Sequence, residues 1–228
     1  MRSLLGGFQL EPTVILLLSS LLLSLHRCFG SIEFATQTFE GWSGLVASVY
    51  MFGTAFLLLG IVPFCVIVFL LGRDPREYGL SLGDWRLGSL ITLTLFPAIA
   101  CGLLFPASMT PEMREFYPFA PEAADSPATF AALELSRGLL FYTSWEFFFR
   151  GFMLFGLRRY VGDWLAICTQ VIPQCLWHIG MPTGEIFSSI AGGVLFGVMA
   201  LRTNSILWPL LLHWLIGVGL DVFIVVTS

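Results

Sequence analysis

Residues 56–71 read FLLLGIVPFCVIVFLL, and residues 206–226 read ILWPLLLHWLIGVGLDVFIVV. Neither stretch alternates apolar and polar residues, as the strands of a membrane barrel do over about ten positions. Helices and closed barrels are the only structures that satisfy their backbone inside lipid. Runs of this length and polarity therefore predict membrane-spanning helices. The rest of the chain agrees. Of 228 residues, 57% are hydrophobic and 11% charged, against about 25% charged in a typical soluble domain. Mean hydropathy is +0.86. The fold class expected is all-α, a polytopic transmembrane helical bundle.

Outward from these two stretches, seven spans are expected. They run from about Leu10 to Leu25, Ser43 to Leu71, Leu87 to Pro106, Pro127 to Leu157, Trp164 to His178, Glu185 to Leu201 and Ser205 to Val226. The first has the length of a signal-peptide core, but no small-residue cleavage site follows before Arg27, so an uncleaved helix is expected. With the N-terminus inside, the cytoplasmic loops hold Arg2, Arg73, Arg76, Arg86, Arg158, Arg159 and Arg202, and the outer loops Arg27 and Arg114. Seven against two satisfies the positive-inside rule. The expectation is an integral protein of a bacterial inner (cell) membrane with a cytoplasmic N-terminus, whose first partner is the lipid bilayer.

Several classes are excluded. The net charge of −4, which comes largely from one acidic loop, suggests no nucleic-acid surface. The five cysteines (Cys28, Cys65, Cys101, Cys168 and Cys175) have no CxxC spacing. Four lie in apolar stretches, where Cys acts as a small hydrophobe, so no disulfide or zinc cluster is expected.

The informative residues are those that lipid disfavours. Ionisable groups in spanning helices are costly and mark functional interiors. Glu146 and Arg150 are four apart and share a helix face; Tyr142, one turn earlier, is placed to hydrogen-bond Glu146. Glu134 and Arg137, three apart, can pair near the outer end. Gln170, Gln174 and His178 form a stripe at four-residue spacing, which can bridge helices or hold a water against His178. At 1.5 Å per residue from the cytoplasmic end, Glu146 lies roughly 16 Å deep, His178 roughly 21 Å and His213 roughly 12 Å. Glu185 and Asp221 fall at roughly 24–27 Å, near the outer edge. Glu185 also opens a helix, where a carboxylate is favoured by the dipole alone.

A carboxylate and an imidazole at one depth suit general-base activation of water, and a second imidazole can donate to an oxyanion. Glu146, His178 and His213 are also donors that a divalent metal would accept, although no HExxH is present. A proton-coupled transporter would use the same residue types but would usually show repeats or broken helices.

These residues resemble a known family. Trp145-Glu146-Phe147-Phe148-Phe149-Arg150-Gly151, Trp177-His178 and His213-Trp214 are similar to the three motifs of the CAAX-protease and bacteriocin-processing (CPBP) intramembrane endopeptidases, which include lysostaphin-resistance-type proteins. The resemblance extends from about Arg76 to Asp221. It divides the chain into N-terminal spans, residues 1–75, and a core, residues 76–228. It implies a peptidase acting on a membrane-associated peptide or protein, without an organic cofactor. Glu146 would act as base with His178, His213 would stabilise the oxyanion, and Arg150 would fix Glu146. Gln174, Tyr142, Glu185 and Asp221 are the supporting candidates. The chain departs from the pattern twice: Trp145 stands where the family has the first Glu of EExxxR, and Gly217 where it has Asn or Asp. Those departures keep a non-catalytic scaffold or immunity-type member of the same fold as the alternative.

Overall fold

The computed structural model describes residues 9–227; Arg2, counted above among the cytoplasmic arginines, lies outside them. Nine helices make up the described chain, with no strand among its residues. They are α1 Leu10–Phe29, α2 Ile32–Thr38, α3 Gly44–Leu70, α4 Trp85–Ser108, α5 Pro111–Phe116, α6 127–161, α7 Asp163–Trp177, α8 Thr183–Thr203 and α9 Leu207–Thr227. All seven expected spans are helical. α1, α3, α4, α8 and α9 are each long and apolar enough to cross a membrane. α7 has fifteen residues, about 22 Å of helix. α6 is the long helix that carries the polar residues.

α6 is the axis of the bundle, and its sequence shows why. Ser126 caps it by accepting the Thr129 N–H, and Pro127 occupies the first turn, the position where a missing N–H costs nothing. From Phe147 to Phe155 every residue is buried, as expected of a helix apolar all round. α6 packs against α1, α3, α7, α8 and α9. Through Arg137–Tyr142 and Phe147–Phe155 its backbone widens into i→i+5 turns. Such π-turns recur at functional sites because they re-aim side chains.

Small residues set how closely the other helices approach. Gly138 of α6 forms a notch filled by the Trp214 indole of α9, whose Nε1 donates to the Glu134 carbonyl at 3.1 Å. Gly88 of α4 receives Trp208 in the same way. Gly193 and Gly197 let α8 lie against Val171 and Ile167 of α7, the small-residue packing typical of membrane helices.

One end of the bundle is tied by a single carboxylate. Glu11, at the start of α1, accepts from Tyr78 at 2.7 Å, Tyr160 at 2.9 Å and Arg73 at 3.0 Å, with Arg159 at 3.7 Å. Burial, and then the Glu11 carboxylate, hold the Tyr78 phenol above its ordinary range, so it stays a donor. At the opposite end Glu112 caps α8 by accepting the Thr183 N–H at 2.7 Å, and Arg114 donates to the Thr227 carbonyl at 3.1 Å.

Candidate active site

The packing of α9 on α6 brings His213 to Glu146. His213 Nδ1 is 2.6 Å from Glu146 Oε1, and Arg150 Nε is 3.2 Å from Glu146 Oε2. The α6 pair is wholly buried, whereas the His213 side chain keeps 20% of its surface exposed. Imidazole is therefore the member of the trio that faces accessible space. Phe196 of α8 closes the other side, its ring 5.1 Å from the imidazole and 5.3 Å from the Arg150 guanidinium. Nothing in the sequence singled out Phe196; only the α8–α9 crossing places it there.

The hydrogen-bonding arithmetic fixes the tautomer. A carboxylate only accepts, so His213 donates through Nδ1–H and leaves Nε2 as a lone-pair acceptor. His178 is arranged in parallel fashion. It caps the C-terminal end of α7, and its Nδ1 is 2.7 Å from the Gln174 carbonyl, which again leaves Nε2 as the acceptor. His178 makes no hydrogen bond to Glu146 or His213, but it lies within electrostatic range of His213 and Arg150. Its ring meets Trp145 edge-on at 5.9 Å. Trp145 is buried among Phe141, Phe149 and Trp177 as well. The position of the first motif Glu is thus an aromatic wall against His178.

Tyr142 does not bond Glu146. Its ring instead lies 4.5 Å from the His213 ring and 5.1 Å from the Arg137 guanidinium. Gly217 adjoins it closely: a Cβ there would collide with the Tyr142 hydroxyl. The side chain missing from the third motif is missing because the phenol fills its space.

Glu185 and Asp221 are not at Glu146. Asp221 Oδ2 pairs with Arg137 Nη1 at 2.9 Å, and Glu134 Oε1 with the same nitrogen at 3.5 Å. The pairing of Glu134 with Arg137 is as read from their spacing; Asp221 is the closer partner. Glu185, instead of simply capping its helix, accepts from the Tyr117 hydroxyl at 2.8 Å. Burial and the Glu185 carboxylate raise the Tyr117 phenol well above its ordinary range. Tyr117, Phe119 and Tyr142 surround the Arg137 guanidinium at 4.8–5.4 Å, a cation–π cage. The glutamine stripe bridges helices: Gln170 Nε2 donates to the Gly193 carbonyl at 3.0 Å and Gln174 Nε2 to that of Ser189 at 3.4 Å.

Glu146 turns one oxygen to His213 and the other to Arg150, and among the described residues no three His, Cys, Asp or Glu side chains are grouped to hold a metal ion. Beside Trp177, at the end of the bundle where α7 finishes, a cavity of about 220 Å³ is lined by His26, Met51, Phe116, Phe119 and Trp177. Trp177 separates it from His178, with ring centroids 5.9 Å apart.

Residues 138–218 match the family described as type II CAAX prenyl endopeptidase Rce1-like. The matched segment contains Tyr142, Glu146, Arg150, His178, His213 and Gly217, and it ends before Asp221. No curated protein and no solved structure matches the chain. The family match agrees with the resemblance carried by the motifs. At family level it supports an intramembrane endopeptidase, and the apolar helices make it an integral membrane protein.

Proposed function

We propose that this protein cleaves a membrane-associated peptide or protein inside the bilayer by water attack, with His213 as the general base and Glu146 as the group that orients it. One observation supports this most directly. Within the segment that matches the family, a buried carboxylate holds Nδ1 of a partly exposed imidazole, whose other nitrogen has no partner among the described residues. A carboxylate in that place fixes the tautomer and stabilises the imidazolium formed when the base takes a proton. Arg150 Nε lies 3.2 Å from the other Glu146 oxygen, a positive charge beside the carboxylate within the bundle.

The roles therefore differ from those the motifs alone imply. Glu146 acts through His213 rather than through His178. His213 Nε2 removes a proton from water as the water oxygen bonds to the scissile carbonyl carbon. The same proton passes to the amine as the C–N bond breaks. His178, with Nε2 unengaged and within electrostatic range of His213, is the second polar group facing the substrate. The substrate approaches from the outer end, where the cavity behind Trp177 lies. We place the N-terminus in the cytoplasm of a bacterial cell; the basic cluster about Glu11, joined by Arg73 and Arg159, supports that side.

The test is cleavage of a fluorogenic transmembrane peptide by the purified protein in liposomes. Wild type cleaves; Glu146→Gln and His213→Ala lose about 10²–10⁴-fold in rate while remaining folded. Cleavage by Trp145→Glu but not by wild type would instead establish the non-catalytic scaffold.

A further inference from the structure

Resting on the peptidase reading, we propose that the Tyr142 hydroxyl is the hydrogen-bond donor for the oxyanion that forms beside His213. Four observations converge on it. Tyr142 is 3% exposed, yet its hydroxyl bonds to no described residue. Its ring packs at 4.5 Å on the ring of His213. The hydroxyl stands over Gly217, one turn beyond His213 on the same face of α9, in space that any Cβ would take. The Arg137 guanidinium lies 5.1 Å from the ring centroid, where its charge strengthens the phenol as a donor.

A phenol hydroxyl that has no acceptor among the described residues, and is not one of the oxygens sealed away without a partner, keeps its proton available to a bound group. A transient anion is such an acceptor. When the oxygen of a water deprotonated at His213 Nε2 bonds to the carbonyl carbon, the π electron pair moves to the carbonyl oxygen. Tyr142 donates to that oxygen and keeps its own proton. As the intermediate collapses the pair returns, the C–N bond breaks, and the amine takes the proton held by His213. A preorganised donor aimed at developing charge is the most effective form of catalysis a site can offer.

The experiment uses the full chain in liposomes. Tyr142→Phe keeps the packing and removes only the donor. We expect kcat to fall about 10²–10³-fold with KM and thermal stability unchanged. A peptide phosphinate, which mimics the tetrahedral anion, should weaken by a similar factor, while an uncleaved peptide of the same sequence binds as before. Tyr142→Ala frees the space over Gly217, so adding Gly217→Asn to Tyr142→Ala should recover part of the lost rate. Wild-type kcat in Tyr142→Phe, alongside an inactive Glu146→Gln, would overturn the proposal and leave the peptidase reading standing. A wild type that never cleaves would overturn both.

Discussion

Glu146→Gln should separate what the buried pair does for stability from what it does for chemistry. Both side chains of the Glu146–Arg150 pair are fully buried. Arg150 Nε reaches Oε2 at 3.2 Å but off the line of a hydrogen bond, and neither Nη atom has a partner. The guanidinium is thus held by charge, with Phe196 at 5.3 Å and Phe149 at 6.0 Å as its other neighbours. Glutamine keeps the shape and removes the anion, leaving a cation in an apolar bundle. Breaking such a pair costs about 3–5 kcal/mol. Arg150→Met should cost less, because Glu146 keeps the His213 Nδ1–H as a hydrogen-bond donor at 2.6 Å. In Glu146→Gln/Arg150→Met neither charge remains, and stability should return to within about 1–2 kcal/mol of wild type, since hydrophobic replacement of a buried pair is often neutral. Cleavage should not return, because His213 still lacks its carboxylate. Unfolding of the four proteins in mixed micelles gives the cycle, and the liposome assay gives the rates. A Glu146→Gln protein as stable as wild type, or a double variant no better than that single one, would refute the reasoning.

Other substitutions have outcomes set by their surroundings. Gly138→Ala drives a methyl group into the Trp214 indole and should cost about 1–3 kcal/mol; because Trp214 adjoins His213, cleavage falls with it, whereas Gly102→Ala, facing open space, changes neither. Gln170→Leu removes the bond to the Gly193 carbonyl and should cost about 0.6 kcal/mol with cleavage retained, while His178→Ala abolishes cleavage at little cost in stability; micelle unfolding and the liposome assay check both.

The helices were legible because lipid demands long apolar runs, and α1, α3, α4, α8 and α9 announce themselves by composition. Depth was legible too: counting residues brought Glu146 and His213 to one level, and they meet at 2.6 Å. Rotation was not. A residue count fixes height along a helix axis but not which way the side chain points, so Tyr142 was expected at Glu146 and lies instead between His213 and Arg137. Glu185 and Asp221, supporting candidates for the carboxylate that Trp145 replaces, are both bonded elsewhere. The Arg137 cage draws Asp221 away, while Tyr117 holds Glu185. The fit of Trp214 into Gly138, or of the Tyr142 hydroxyl over Gly217, depends on contacts 76 or 75 residues apart in the chain, and no local pattern encodes them.

The Glu11 junction has a consequence for how the protein is made. A chain emerging from the ribosome sets this carboxylate at the membrane edge before any of its partners exists. Arg73 and Tyr78 follow 62 and 67 residues later, and Tyr160 only after 149. Until then the Glu11 carboxylate lacks part of the set of donors that surrounds it in the folded chain. The last ties, from Tyr160 and Arg159 beside it, arrive only as synthesis of α6 finishes. α6 is also the helix that carries Glu146, so the anchor of the first helix closes in the same stretch of synthesis that delivers the carboxylate, before α9 brings His213 to it.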